Sequence, residues 1–172
     1  YKLDDPSITL DRKDDFINEK QQQIDSNIFL ELKFMFQFSQ VIKDIMNQPS
    51  TFTFIKFIDY INDSKYQKCS KMINEDVIIN LLIHSSDEEP DFNIRQNSFY
   101  AIGHIIKKFP EKIALLYTHL IPILAKSLID PNEYYISSIY FVINSLIQHS
   151  NEFCQNFYSI IDFDVFFQNA YE

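Results

Sequence analysis

Glycine is almost missing from this chain, with one in 172 residues, Gly103. A fold so poor in glycine has few tight β-turns and no glycine-rich phosphate loop, because both need backbone conformations that glycine supplies most readily. Cysteine is scarce as well. Cys69 and Cys154 stand far apart, match no metal or redox spacing, and read as two reduced thiols in a cytosolic protein. Basic residues are in the minority, 15 Lys and Arg against 24 Asp and Glu, for a net charge of −9. Surfaces that neutralise nucleic-acid phosphates are basic, so the charge argues against nucleic acid and suits a partner with a basic or neutral face. No apolar run approaches the roughly 18 residues that cross a bilayer, and no signal peptide is visible. We therefore expect no membrane partner. The chain opens on Tyr1 rather than methionine, which reads as a trimmed piece of something longer.

What is present is core material. Hydrophobic residues make up 46% of the chain, enough for one globular domain. Six prolines punctuate helices. With so little glycine, this composition predicts an all-α protein.

Residues 1–27 are polar and read as an N-terminal arm. Asp4, Asp5 and Pro6 predict an irregular start. Leu10, Ile17 and Ile24 recur every seven residues, a heptad spacing that suits either a solvated helix or a coiled-coil helix. Residues 28–47 fit two templates. Leu30, Leu32, Phe34, Phe36 and Phe38 alternate as in a strand, while Leu30, Phe34, Phe38, Val41 and Ile45 follow a helix stripe. Length decides for the helix, since a strand of that length is unusual, and Pro49 stops it. Further helices are predicted over 50–62 with Ser50 as cap, 65–73, 77–85, 93–108, 113–117, 119–128, 134–149 and 152–158. Between them lie an acidic loop at 84–91, a break at 109–112 and a loop at 129–133. In the acidic loop, Ser85 and Ser86 each have a glutamate three residues on, Glu88 and Glu89. That pattern resembles an acidophilic phosphorylation site and also suits a solvated loop.

One segment returns. Asn93–Lys108 shifted by 41 residues lands on Tyr134–His149 with its apolar positions in step. Ile94, Ser98, Ala101, Ile102 and Ile105 fall on Tyr135, Ile139, Val142, Ile143 and Leu146. That spacing is one face of a helix, and its return after about forty residues is the mark of stacked helical units. The element at 121–127 matches 77–85 upstream and 163–169 downstream, so a third unit opens at the C-terminal end. A single unit buries too little to offset its ordering entropy and needs neighbours.

These phrases carry a family likeness. IRQNSFYAIGHI and YISSIYFVINSL resemble the third helix of an armadillo repeat, and LIPILAKSL resembles its second. Armadillo and HEAT repeats grade into each other. The resemblance covers residues 77–169 by phrase and 28–76 by helix pattern. It implies a right-handed α-α superhelix, an armadillo-like solenoid of three to four repeats over residues 28–172. A finer likeness links FYAIGHIIKKFPEKIALLYTHLIPILAKSL and NSLIQHSNEFC to the C-terminal armadillo region of Fused-type serine/threonine kinases, which implies a cytoplasmic setting at the cilium or cytoskeleton. No kinase motif occurs in these residues.

In importin-type armadillo proteins, a tryptophan and an asparagine four residues later hold an extended peptide. Carried over, the tryptophan becomes Tyr100 and Phe141, and the asparagine becomes His104 and Ser145. The aromatic is kept and the amide lost, which weakens the carry-over, since an amide offers donor and acceptor together. The resemblance still implies a peptide-binding groove made by Asn97, Tyr100, His104 and Lys108 on one helix and Ser138, Phe141, Ser145 and His149 on the next. Tyr100 and Phe141 fit helix packing equally well. Lys107, Lys108 and Lys112 form the one basic cluster, able to meet an acidic peptide or simply to end a helix in solvent.

Chemistry is not foreseen. His84, His104, His119 and His149 have no carboxylate or cysteine at metal-ligand spacing, and nothing resembles a nucleophile elbow. We expect no catalytic residue, metal or cofactor, and a scaffold that binds a protein segment or subunit within a larger assembly. The alternatives are a structural spacer that contacts neighbours through its end, and an importin-like cargo adaptor.

Overall fold

The computed structural model describes residues 6–63, 70–86, 88–129 and 133–160. Among them there are seven α-helices and no strand, so the protein is all-α. Contacts divide the chain into two compact units, Tyr1–Phe38 and Ser39–Glu172.

Helix α1, Pro6–Asn47, is a single helix of 42 residues. The boundary expected between residues 27 and 28 carries no break, because nothing there interrupts the helix: the polar arm and the apolar segment share one rod. Its strand-like alternation is not used. In the first unit Phe34 and Phe38 are buried and stack at 6.2 Å, whereas Leu30, Leu32 and Phe36 are exposed. Burial thus follows a four-residue step, the period of a helix face.

The second unit takes up the end of α1, from Ser39, and the remaining helices. Helix α2 is Thr51–Asn62. Ser50 caps it as expected, in a reciprocal arrangement: the Thr53 amide donates to Ser50 Oγ at 3.2 Å, and the Ser50 amide donates to Thr53 Oγ1 at 2.9 Å. Two orphan amides at the helix start are satisfied this way. Helix α3, Glu75–Ser85, is capped by Asn74, with Glu75 and Asp76 in its first turn, where carboxylates favour the positive end of the helix dipole. Helix α4, Phe92–Lys108, is capped by Asp91, and Lys107 and Lys108 close its last turn. A 3₁₀ turn at Pro110–Lys112 leads into α5, Ile113–Ile129. The two helices foreseen at 113–117 and 119–128 are one, since Thr118 offers no break and Pro122 is carried inside with its side chain exposed. Helix α6 is Glu133–His149, and α7, Asn151–Ile160, starts on the Ser150 cap. The opening element foreseen at 163–169 and most of the helix foreseen at 65–73 lie outside the described residues.

Helix α4 is the centre of this unit. It packs most extensively on α6, then on α2 and α3, while α3 and α6 also touch α5, and α7 touches α6. Ile94, Phe99, Ala101, Ile102, Ile105 and Ile106 of α4 are buried, as are Ile139, Val142, Ile143 and Leu146 of α6. Every described member of the recurring apolar set is therefore core. Burying large aliphatic and aromatic side chains at about 1.5–3 kcal/mol apiece is what holds these helices together. Contacts between α4 and α6 join residues 37 to 41 apart: Tyr100 to Ser137, Tyr100 to Phe141 and His104 to Phe141. A near-constant separation means that the two helices run parallel.

Candidate functional site

Because α4 is covered on three sides, only one stripe of it reaches solvent. Asn93, Lys107 and Lys108 are exposed, and Gln96, Asn97, Tyr100 and His104 are half-buried. Asn97, Tyr100, His104 and Lys108 follow one another at steps of three and four, so these four residues are the accessible line of the helix. Asn97 turns its amide to its own helix, donating to the Asn93 carbonyl at 2.6 Å.

The neighbouring helix α6 presents a different line from the one foreseen. Ser138 is fully buried and Ser145 is 2% exposed, with its Oγ donating to the Phe141 carbonyl at 2.8 Å. Both belong to helix packing rather than to a surface. His149 is exposed at the helix end, and Phe141 is half-buried. Ser137, Asn144 and Gln148 also reach solvent, each one position earlier than Ser138, Ser145 and His149. Transferring the accessible line by 41 residues preserves the apolar face but misplaces its edge, since a one-residue error turns a side chain by about 100°. The signal was nonetheless in the sequence: Ser137, Asn144 and Gln148 lie seven and four residues apart, on a single face.

The groups meet across helices in a continuous row. Asn62, at the end of α2, has its Nδ2 3.1 Å from His104 Nδ1. The His104 ring lies 4.9 Å from that of Phe141. The Phe141 ring lies 5.8 Å from Tyr100, and the Tyr100 hydroxyl is 3.1 Å from Ser137 Oγ. Partial burial, then the charges of Lys107 and Lys108, hold the His104 pKa below its usual 6.5. A neutral imidazole can accept the Asn62 amide proton at Nδ1, which leaves Nε2–H as a donor. Asn62 was not foreseen as part of this surface, because nothing within α2 marks it; its role comes from where α4 lies.

Elsewhere, a groove of about 400 Å³ between α3 and α5 is lined by Ile79, Leu82, Ile83, Ser86, Glu88, His119 and Ile123. Of the two serines with acidic followers, Ser85 is fully buried and donates to the Leu82 carbonyl at 2.9 Å. Ser86 is the accessible one, and its Oγ donates to the Ile83 carbonyl at 2.7 Å. Glu89 is engaged with His84 at 2.6 Å. Cys154 is a free, exposed thiol. No group of three or more His, Cys, Asp or Glu able to hold a metal ion occurs among the described residues, and no helix among them is long and apolar enough to cross a membrane.

Comparison with family models, with curated proteins and with solved structures finds no match to this chain.

Proposed function

We propose that this chain is a protein-interaction scaffold, an armadillo-like helical solenoid segment that holds an extended or helical segment of another protein along the face shared by α2, α4 and α6. The observation that carries the reading is the row Asn62, His104, Phe141, Tyr100 and Ser137, which runs across three adjacent helices. Half-buried aromatic rings interleaved with hydrogen-bonding groups are what a peptide backbone needs: rings to pack on, and donors and acceptors to replace water. Asn97, Asn144 and Gln148 extend the polar supply on either side. Lys107 and Lys108, exposed beside His104, favour a partner segment with a carboxylate at that end. The parallel packing of α4 and α6 agrees with the recurring phrases that resemble armadillo third helices.

The test uses positions whose side chains are exposed, so that folding is spared. Ser137→Arg with Asn144→Arg fills the face with bulk and charge. In affinity capture from cells that make this protein, partners held by the wild-type chain should be lost by the double variant at unchanged melting temperature. Retention of the same partners would exclude this face as the binding surface.

A further inference from the structure

The first unit carries large apolar side chains on one face of α1 that it leaves in solvent. Ile17, Ile24, Ile28 and Met35 are 60%, 50%, 51% and 42% exposed. At about 100° per residue, these four fall within roughly 40° of one another around the helix. Two further residues lie on the same line, Gln21 and Glu31, and both are exposed. The six are spaced 4, 3, 4, 3 and 4 residues apart, the a and d spacing of a coiled-coil seam. Their order of polarity reads the same from either end: apolar, polar, apolar, apolar, polar, apolar.

We propose that α1 pairs with α1 of a second copy of this chain, as an antiparallel two-stranded coiled coil over residues 17–35 with its two-fold axis beside Ser26. A two-fold contact requires that if one residue meets another, the reverse contact is also made, and a palindromic seam meets that condition. Ile17 meets Met35 of the partner subunit. Ile24 meets Ile28 of the partner subunit. Gln21 meets Glu31 of the partner subunit. Each contact occurs twice, and no apolar residue is set against a polar one. The parallel, in-register alternative would place Glu31 on Glu31 of the partner subunit at a seam position, a like-charge pair in the least solvated part of the contact.

Charge favours the same pairing on balance, since two contacts of Lys20 with Glu31 of the partner subunit outnumber the one like-charge contact, Asp25 with Asp25 of the partner subunit beside the axis. Lys20 lies on the flank of the seam nearest Glu31 of the partner subunit, so each carboxylate has an amide and an ammonium within reach. The Gln21 amide now donates to Asp25 of its own helix at 3.0 Å, a surface bond that it can exchange for the buried one. Leu32, 61% exposed, stands beside the seam and shields it. The seam is just under three heptads, short enough that association is concentration-dependent rather than permanent.

Sedimentation velocity of the whole chain, from about 1 to 300 μM, follows the dimer by mass action. We expect a monomer–dimer equilibrium for the wild-type chain, and a monomer throughout for Ile24→Lys with Ile28→Lys, at unchanged helicity by circular dichroism. Orientation is read by crosslinking in a Cys69→Ser, Cys154→Ser background. An oxidised equimolar mixture of Ile24→Cys and Ile28→Cys chains, tagged to differ in mass, should give the mixed disulfide, and neither variant alone should crosslink. A wild-type chain that stays monomeric, a double lysine variant that stays dimeric, or crosslinking of each variant with itself would each overturn the proposal.

Discussion

The Phe141 ring lies across Gly103: a methyl group built on the glycine would stand 2.5 Å from the ring Cδ1 and 2.6 Å from Cε1. The chain's one glycine is therefore where a side chain of α6 lies directly on the α4 backbone. Its backbone needs no unusual dihedral, since no residue has positive φ among those described; the glycine is there for space.

Gly103→Ala tests this. In an open helix the change stabilises by about 1 kcal/mol. Here the ring is held between Tyr100 and His104 and cannot retreat freely, so overpacking costs about 1–3 kcal/mol. We expect net destabilisation by chemical denaturation. In a Phe141→Ala background the sign should reverse, with Gly103→Ala stabilising by up to about 1 kcal/mol. A loss of the same size in both backgrounds would mean that the ring is not what the methyl group meets.

His104 should make stability pH-dependent. Its pKa is lowered in the folded chain by burial, then by Lys107 and Lys108, so the unfolded chain binds its proton more readily. Stability then rises with pH across the window between the two values. The contribution is complete above about pH 6.5, the unfolded value, and is lost as pH falls through the lowered folded value. Melting temperatures of the wild-type chain and of His104→Gln, followed through this range, should converge as the pH falls. Parallel curves would show that the imidazole is not perturbed.

Ser98 is fully buried on α4, and its Oγ has no hydrogen-bond partner. A buried hydroxyl without a partner costs about 1–3 kcal/mol. Ser98→Ala should therefore raise stability, by about 1 kcal/mol once lost packing is counted. A loss of more than that would indicate that a water molecule serves the hydroxyl.

Pro122 sits inside α5, where it cannot donate to the carbonyl four residues back and its ring crowds that carbonyl. Its side chain is exposed, so replacing it removes little packing. Pro122→Ala should stabilise by about 1–3 kcal/mol. Unchanged stability would place the benefit of proline in the unfolded chain, through its restricted backbone.

Much of this architecture is legible before any coordinates. The cap at Ser50, and the recurring apolar face, Ser98 to Ile105 on Ile139 to Leu146, depend on neighbours in sequence and on a period of 3.6 residues. Those are local facts, and each of those positions is buried or capping as the spacing implies. The continuity of α1 and α5 is less legible, because a change of composition at residue 28 resembles a boundary and the β-branched, polar Thr118 resembles a joint between two short helices, although neither ends these helices.

The candidate surface divides along the same line. The armadillo resemblance points to Asn97, Tyr100, His104 and Lys108, and their steps of three and four keep them on one helix face. Which α6 residues join them depends on how far α6 is rotated against α4, and that rotation brings the Phe141 ring over Gly103. Asn62 enters only because α2 ends beside His104. Periodicity along a chain determines which face of a helix is apolar, but the angle at which two such faces meet is decided by side-chain shape across the contact, between residues some forty positions apart.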